Sequence, residues 1–170
     1  MKVKLIFACG PDGEFGNGNG LPWNIPEDLQ VFKEYTKDCV LVMSGATFES
    51  LPGKLPGRKH CVLSDRDVVA KNGSTPDYLF EREADPELVR DVMREEEGDK
   101  DLAVIGGRLM ITGKFLDLVD DAQISWVHGE HVGEHTHTID NEFVVANLNR
   151  RLKFSSTKAF EKFTVAHWVK

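Results

Sequence analysis

Residues 39–51, CVLVMSGATFESL, hold an apolar run that breaks at Ser44-Gly45 and passes into a segment of helical character. The run is continuous rather than alternating, which suits a strand covered on both faces. Three further runs repeat the pattern: VKLIFACG at 3–10, HCVLS at 60–64 and LAVIGG at 102–107. Each ends at small or polar residues. Helix-like segments fall between them, from Pro26 to Thr36, from Thr47 to Leu51 and from Pro86 to Glu97. The last opens on Asp85-Pro86, a cap followed by a first-turn proline, and stops at Gly98. RLMITGKFLDLV, after Gly107, is a fourth helical segment, interrupted by Gly113. Alternating strands and helices predict an α/β fold with a central, mainly parallel sheet flanked by helices. At 150–170, RRLKFSSTKAFEKFTVAHWVK holds two strand-like stretches about a polar connection, which adds antiparallel strands at the C-terminus. No repeat, low-complexity tract or linker divides the chain, so residues 1–170 read as a single domain.

The bulk composition narrows the class. With 41% hydrophobic and 29% charged residues the chain is ordinary for a globular protein, and no apolar run approaches the ~20 residues that span a bilayer. The start, MKVKLIFACGPDGE, reads as a strand rather than a signal peptide. Cys9, Cys39 and Cys61 are odd in number, form no CxxC pair and lie in or beside apolar runs. Buried, reduced thiols in a cytoplasmic protein are the expectation. A net charge of −7 argues against a nucleic-acid binder. It leaves room for an anionic small molecule, because a few local cations can dominate one cleft.

Several stretches could carry chemistry. GPDGEFGNGNG, residues 10–20, follows the first strand and is cheap to bend toward a ligand, but it is not GxGxxG and a plain surface turn reads equally well. In VIGGRLM a strand runs into Gly106-Gly107 and then a helix, an arrangement that exposes backbone N–H groups to an anion. MSGATFESL repeats it at Gly45–Thr47. Two such sites suggest a diphosphate or dinucleotide, although tight strand-to-helix packing also explains the glycines. Arg66 could add a cation for a further phosphate. In LPWNIPEDLQVFKEYT, residues 21–36, Pro26 suits a first helical position, and helical spacing puts Asp28 on one face with Val31, Phe32 and Tyr35. An acid on an inward apolar stripe is a catalytic candidate; an acid at the third helical position is also common for its dipole alone. HGEHVGEHTH carries His128, His131, His135 and His137 without HExxH or CxxC, so an exposed polar hairpin is favoured over a metal site, and no metal is assigned. REEEGDKD is a solvated helix end.

Taken in order, the early glycine loop, LPWNIPEDLQVFK, MSGATFESL, LPGRKHCVLS, VIGGRLM and the histidine stretch before the terminal strands resemble the dihydrofolate reductase family over nearly the whole chain. The resemblance implies a dihydrofolate-reductase-like fold with an antiparallel C-terminal strand. It implies NADPH-dependent reduction of 7,8-dihydrofolate to 5,6,7,8-tetrahydrofolate, with hydride passing from nicotinamide C4 to pterin C6 and protonation at N5. Asp28 matches the acid of the pterin pocket, Trp23 the tryptophan that helps hold an ordered water there, and Leu21 a residue of the mobile loop over the nicotinamide. Phe32 and Leu55 match the walls of the substrate slot, and Arg58 the partner of the glutamate α-carboxylate. For the cofactor the resemblance implies Ala8, Phe15, Gly16 and Leu21 beside the nicotinamide and Gly45, Ala46 and Thr47 at the pyrophosphate. It further implies Leu63, Ser64 and Arg66 at the 2′-phosphate side, and Gly106, Gly107, Arg108, Leu109 and Met110 at the nicotinamide half. The chain departs from the family in having Ser44-Gly45 where Gly-Arg is usual and Ile111 nearest a frequent tyrosine, while Thr136-His137 match the usual threonine-histidine pair. The expected protein is a cytoplasmic monomer that acts on dihydrofolate and touches neither nucleic acid nor membrane. A pyrimidine reductase of riboflavin synthesis and a non-catalytic NADPH- or folate-binding module are the alternatives.

Overall fold

The computed structural model describes residues 1–16, 21–134 and 137–170, and the side chains of all of these except Leu109 and Met110. An eight-stranded sheet runs in the order β5-β4-β3-β6-β1-β7-β10-β9. Its strands are β1 (Val3–Cys9), β3 (Val40–Ser44), β4 (Lys59–Leu63), β5 (Tyr78–Phe80), β6 (Leu102–Gly106), β7 (Asp121–Val127), β9 (Lys153–Ala159) and β10 (Phe163–Val169). All pairings from β5 to β7 are parallel, whereas β10 is antiparallel to β7 and β9. The short β2 (Glu14–Gly16) pairs separately with β8 (His137–Thr138). The helices are α1 (Pro26–Tyr35), α2 (Gly45–Ser50), α3 (Pro86–Glu97), α4 (Arg108–Ile111) and α5 (Asn141–Arg151).

The continuous apolar runs follow from burial on both sheet faces. Val40, Val42, Cys61, Leu63, Leu102 and Val104 enter one core cluster. Their alternating neighbours Leu41, Met43, Val62 and Ala103 enter another. All three cysteines are buried free thiols.

Local chemistry sets the helix ends. The Asp85 side chain accepts from the N–H of Glu87 at 3.0 Å to cap α3, and Gly98 closes that helix at φ 69°. Asp140 caps α5 through the N–H of Phe143 at 3.0 Å. Helix α2 starts at Gly45, two residues before the expected Thr47, because the Ser44 hydroxyl caps it through the N–H of Thr47. The fourth helical segment is two pieces: Gly113 separates α4 from a 3₁₀ turn at Lys114–Leu118.

Helix α1 corrects one expectation. Its Asp28 face is only partly packed: Val31 lies against the cluster of Ile25, Val127, Phe163 and Val165, and no residue of α1 is fully buried. Asp28, Val31, Phe32 and Tyr35 are each half-buried; Val31 and Tyr35 line a groove with Gln123, Val165 and His167, and Asp28 and Phe32 do not.

Candidate active site

The parallel strands β3, β4 and β6 deliver their C-terminal ends to one side of the sheet, where open α/β sheets commonly place a ligand. A cleft of about 920 Å³ lies there. Phe15, Leu21, Gly45, Ala46, Thr47, Leu63, Ser64, Arg66, Gly106, Gly107 and Arg108 all line it. Ala8 does not; it stands on β1 in register with Ser125 of β7. Gly16 pairs with His137 in the small sheet, and His137 lines the cleft. Leu109 and Met110 fall within α4, but their side chains lie outside the described residues, as do residues 17–20 of the glycine loop, His135 and Thr136.

The junction glycines are required by packing as well as by an open cleft. A Cβ at Gly106 would stand 2.6 Å from Cγ2 of Thr47, and one at Gly45 would stand 3.0 Å from Oγ of Ser64. Gly107 adopts φ 93°, a left-handed conformation that L side chains rarely take. Strand and helix therefore meet closely where the cleft is deepest in backbone.

The cations differ from expectation. Arg66 is not free, because its guanidinium grips the Glu49 carboxylate through both terminal nitrogens. Two cationic residues that no motif announced, Arg82 and Lys114, also line the cleft. They arrive from the segment after β5 and from the 3₁₀ turn after Gly113, so only the fold brings them in.

The chain from Gly10 to Pro22 is tied to the 133–139 segment at both ends. The N–H of Ile139 donates to the carbonyl of Gly13 at 2.8 Å, and that of Gly133 donates to the carbonyl of Pro22 at 2.7 Å. The histidine stretch thus serves as an anchor for the loop beside the cleft. Within it His128 meets the hydroxyl of Thr164 at 3.3 Å.

Asp28 stands over β7. Burial raises its pKa above the ordinary aspartate value, and the nearby Ser125 hydroxyl opposes the rise. Ser125 is itself almost wholly buried. Sequence reasoning missed it: the one signal was a serine between Ile124 and Trp126 in a strand that was itself not foreseen. Trp23 packs against the cluster of Ile25, Val127, Phe163 and Val165. Its Nε1 is buried and has no hydrogen-bond partner among the described residues.

At the far end of α1, Arg58 is clamped by main chain. Its Nε donates to the carbonyl and the hydroxyl of Thr36 at 3.2 and 3.1 Å, Nη1 to the carbonyl of Pro56 at 2.7 Å, and Nη2 to that of Lys33 at 2.8 Å. Each terminal nitrogen keeps one N–H unspent. Leu55, between α2 and Arg58, is half-buried against the second core cluster. Its N–H donates to Nε2 of His60 at 3.0 Å. Asp28 and Thr36 are eight residues apart, so the acid and the arginine are separated by about 12 Å along the helix axis at a rise of about 1.5 Å per residue.

Comparison with known proteins returns one family. A family model described as dihydrofolate reductase matches residues 2–167. A dihydrofolate reductase of Neisseria meningitidis serogroup A is 37% identical over 129 residues, covering 75% of this chain and 73% of the relative. One from Bacillus subtilis is 31% identical over 132 residues, covering 78% and 73%. A solved structure described as dihydrofolate reductase from Enterococcus faecalis complexed with NADP(H) and RAB-propyl superposes with a TM-score of 0.67 at 22% identity, covering 99% of this chain and 97% of that one. That likeness speaks for the fold.

Proposed function

The chain belongs to the dihydrofolate reductase family, an NADPH-dependent oxidoreductase of 7,8-dihydrofolate, and from that premise we propose how its own residues carry the reaction. The observation that carries the reading is Asp28, a half-buried carboxyl on α1 whose proton affinity is raised by burial. It orients the pterin through the 2-amino group and N3 side and favours protonation at N5. Ser125 lies beside the carboxyl on β7 and favours its charged form. The unpaired Nε1 of Trp23 fits a donor to a water beside the pterin. Phe32 and Leu55 form the walls of the slot, and the unspent N–H groups of Arg58 donate to the glutamate α-carboxylate. The span of about 12 Å between the two polar ends suits a ligand with a heterocycle at one end and a carboxylate at the other.

The cleft fits a phosphate-bearing dinucleotide: close-approach glycines at 45, 106 and 107 meet the cations Arg66, Arg82, Arg108 and Lys114. When bound, NADPH supplies the hydride from nicotinamide C4 to pterin C6. Gly45, Ala46 and Thr47 hold the pyrophosphate side, Leu63, Ser64 and Arg66 the 2′-phosphate side, and Gly106–Arg108 the nicotinamide half. Leu21 and Phe15 add apolar lining to the cleft. Three free buried thiols support a reducing, cytoplasmic setting.

The test is NADPH oxidation with dihydrofolate, followed by absorbance, in wild-type protein and Asp28→Asn. Loss of a positioned acid should lower the chemical rate by about 10²- to 10⁴-fold. The wild-type rate should fall as pH rises through an apparent pKa above about 3.9, the ordinary aspartate value. Robust turnover in the mutant would remove Asp28 from its role, whereas NADPH binding without turnover in the wild type would favour a non-catalytic module.

A further inference from the structure

His60 stands outside the site just described, yet its ring holds part of it. The imidazole is wholly buried and packs edge-on to Phe48, with ring centroids 6.0 Å apart. Its Nε2 accepts the N–H of Leu55 at 3.0 Å, so in the neutral ring the proton sits on Nδ1. Nδ1 faces Oδ2 of Asp77 at 3.8 Å. Asp77 is in turn fixed by the His60 N–H at 2.8 Å and by Nζ of Lys54 at 2.9 Å.

Around this pair the Leu51–Arg58 segment lacks any ladder of its own. Its start is tied by the N–H groups of Lys71 and Asn72 to the carbonyls of Leu51 and Pro52, at 2.9 and 3.0 Å. Its end is tied by the Arg58 clamp on α1. The Leu55 N–H midway between is held by a side chain from inside the core, and that side chain is His60.

We propose that His60 is a positioning residue for the benzoyl-glutamate tail of the substrate: through Leu55 it sets the slot wall relative to the Arg58 fork. The inference rests on the substrate assignment above. Its signature is a split, because a residue acting on the tail changes the affinity for dihydrofolate and leaves the pterin chemistry alone.

Two polar substitutions separate this from general packing. Gln places an amide oxygen near the position of Nε2 and can still accept the Leu55 N–H; Asn places its oxygen near Nδ1 and cannot. His60→Asn should raise the KM for dihydrofolate by about tenfold, the scale of one buried donor left unpaired. Its kcat should stay within about twofold of wild type, and so should kcat/KM for 6-methyl-7,8-dihydropterin, which has no tail. His60→Gln should restore the KM. Folate Kd without cofactor, read by tryptophan fluorescence quenching, should follow the same order, and it reads His60 even if turnover fails in the wild type. Equal losses on both substrates, or an unchanged folate Kd in His60→Asn, would overturn the proposal.

Discussion

Arg58→Lys keeps a positive charge at the end of α1 and removes the geometry. In the native protein the guanidinium spends N–H groups on Thr36, Pro56 and Lys33 and still has one left on each terminal nitrogen. A lysine ammonium cannot both retain that clamp and present two parallel donors, so one of the two bonds to a carboxylate is lost. A hydrogen bond to a charged group is worth about 1.5–3 kcal/mol, or about 10- to 150-fold in affinity. Arg58 is only half-buried, and water will replace part of the loss, which places the expected rise in KM for dihydrofolate at about 10- to 30-fold. The kcat should hold within about threefold, since the fork and Asp28 are separated by about 12 Å of helix. Steady-state NADPH oxidation at saturating cofactor measures both constants. An unchanged KM, or an equal loss with 6-methyl-7,8-dihydropterin, would refute the reasoning.

Asp28→Asn should stabilise the ligand-free protein at neutral pH while it removes activity. Because burial raises the folded pKa, the stability that Asp28 contributes is complete below its unfolded value of about 3.9 and is lost as pH rises through the folded value. Thermal melts across that range should show the mutant's advantage growing with pH, and parallel curves would contradict the assignment. Glu49→Gln should free Arg66, lowering the KM for NADPH by about two- to fivefold without changing that for NADH; an equal change for both cofactors would show that the pair does not bear on the 2′-phosphate.

What could be read in the sequence was whatever one segment determines alone. The runs that became β3, β4 and β6 are apolar on both faces because each face meets a core cluster, while β1 gives Val3, Leu5, Phe7 and Cys9 to one of them. Pro26, Asp85-Pro86 and Gly98 mark helix ends by chemistry that needs no neighbour. Strand β7 escaped notice because Asp121, Gln123 and Ser125 alternate with Ala122 and Ile124, and only α1 lying above makes that polar face an interior one. Helix α5 was hidden for a similar reason: Asn147, a poor helix former, is buried and donates to Asp117 at 2.9 Å. At the site, LPW, PEDLQVF and the glycine pairs were legible as motifs. Arg82, Lys114, Ser125 and the Glu49 partner of Arg66 were not, since each matters only through a contact across the fold.

Helix α1 has no fully buried residue, and much of its attachment is polar: the Arg58 clamp, Nζ of Lys4 on the carbonyl of Tyr35 at 3.2 Å, and the Tyr35 hydroxyl on Asp121. Such a helix opens locally at a free energy well below that of global unfolding. Its amide hydrogens therefore exchange early in the ligand-free protein. On the proposed reading a flat aromatic ligand would lie against Phe32 and supply apolar contact that the chain does not give itself. The amides of α1 should then gain protection when folate binds and lose it on release, so that the substrate would act as a removable part of the core.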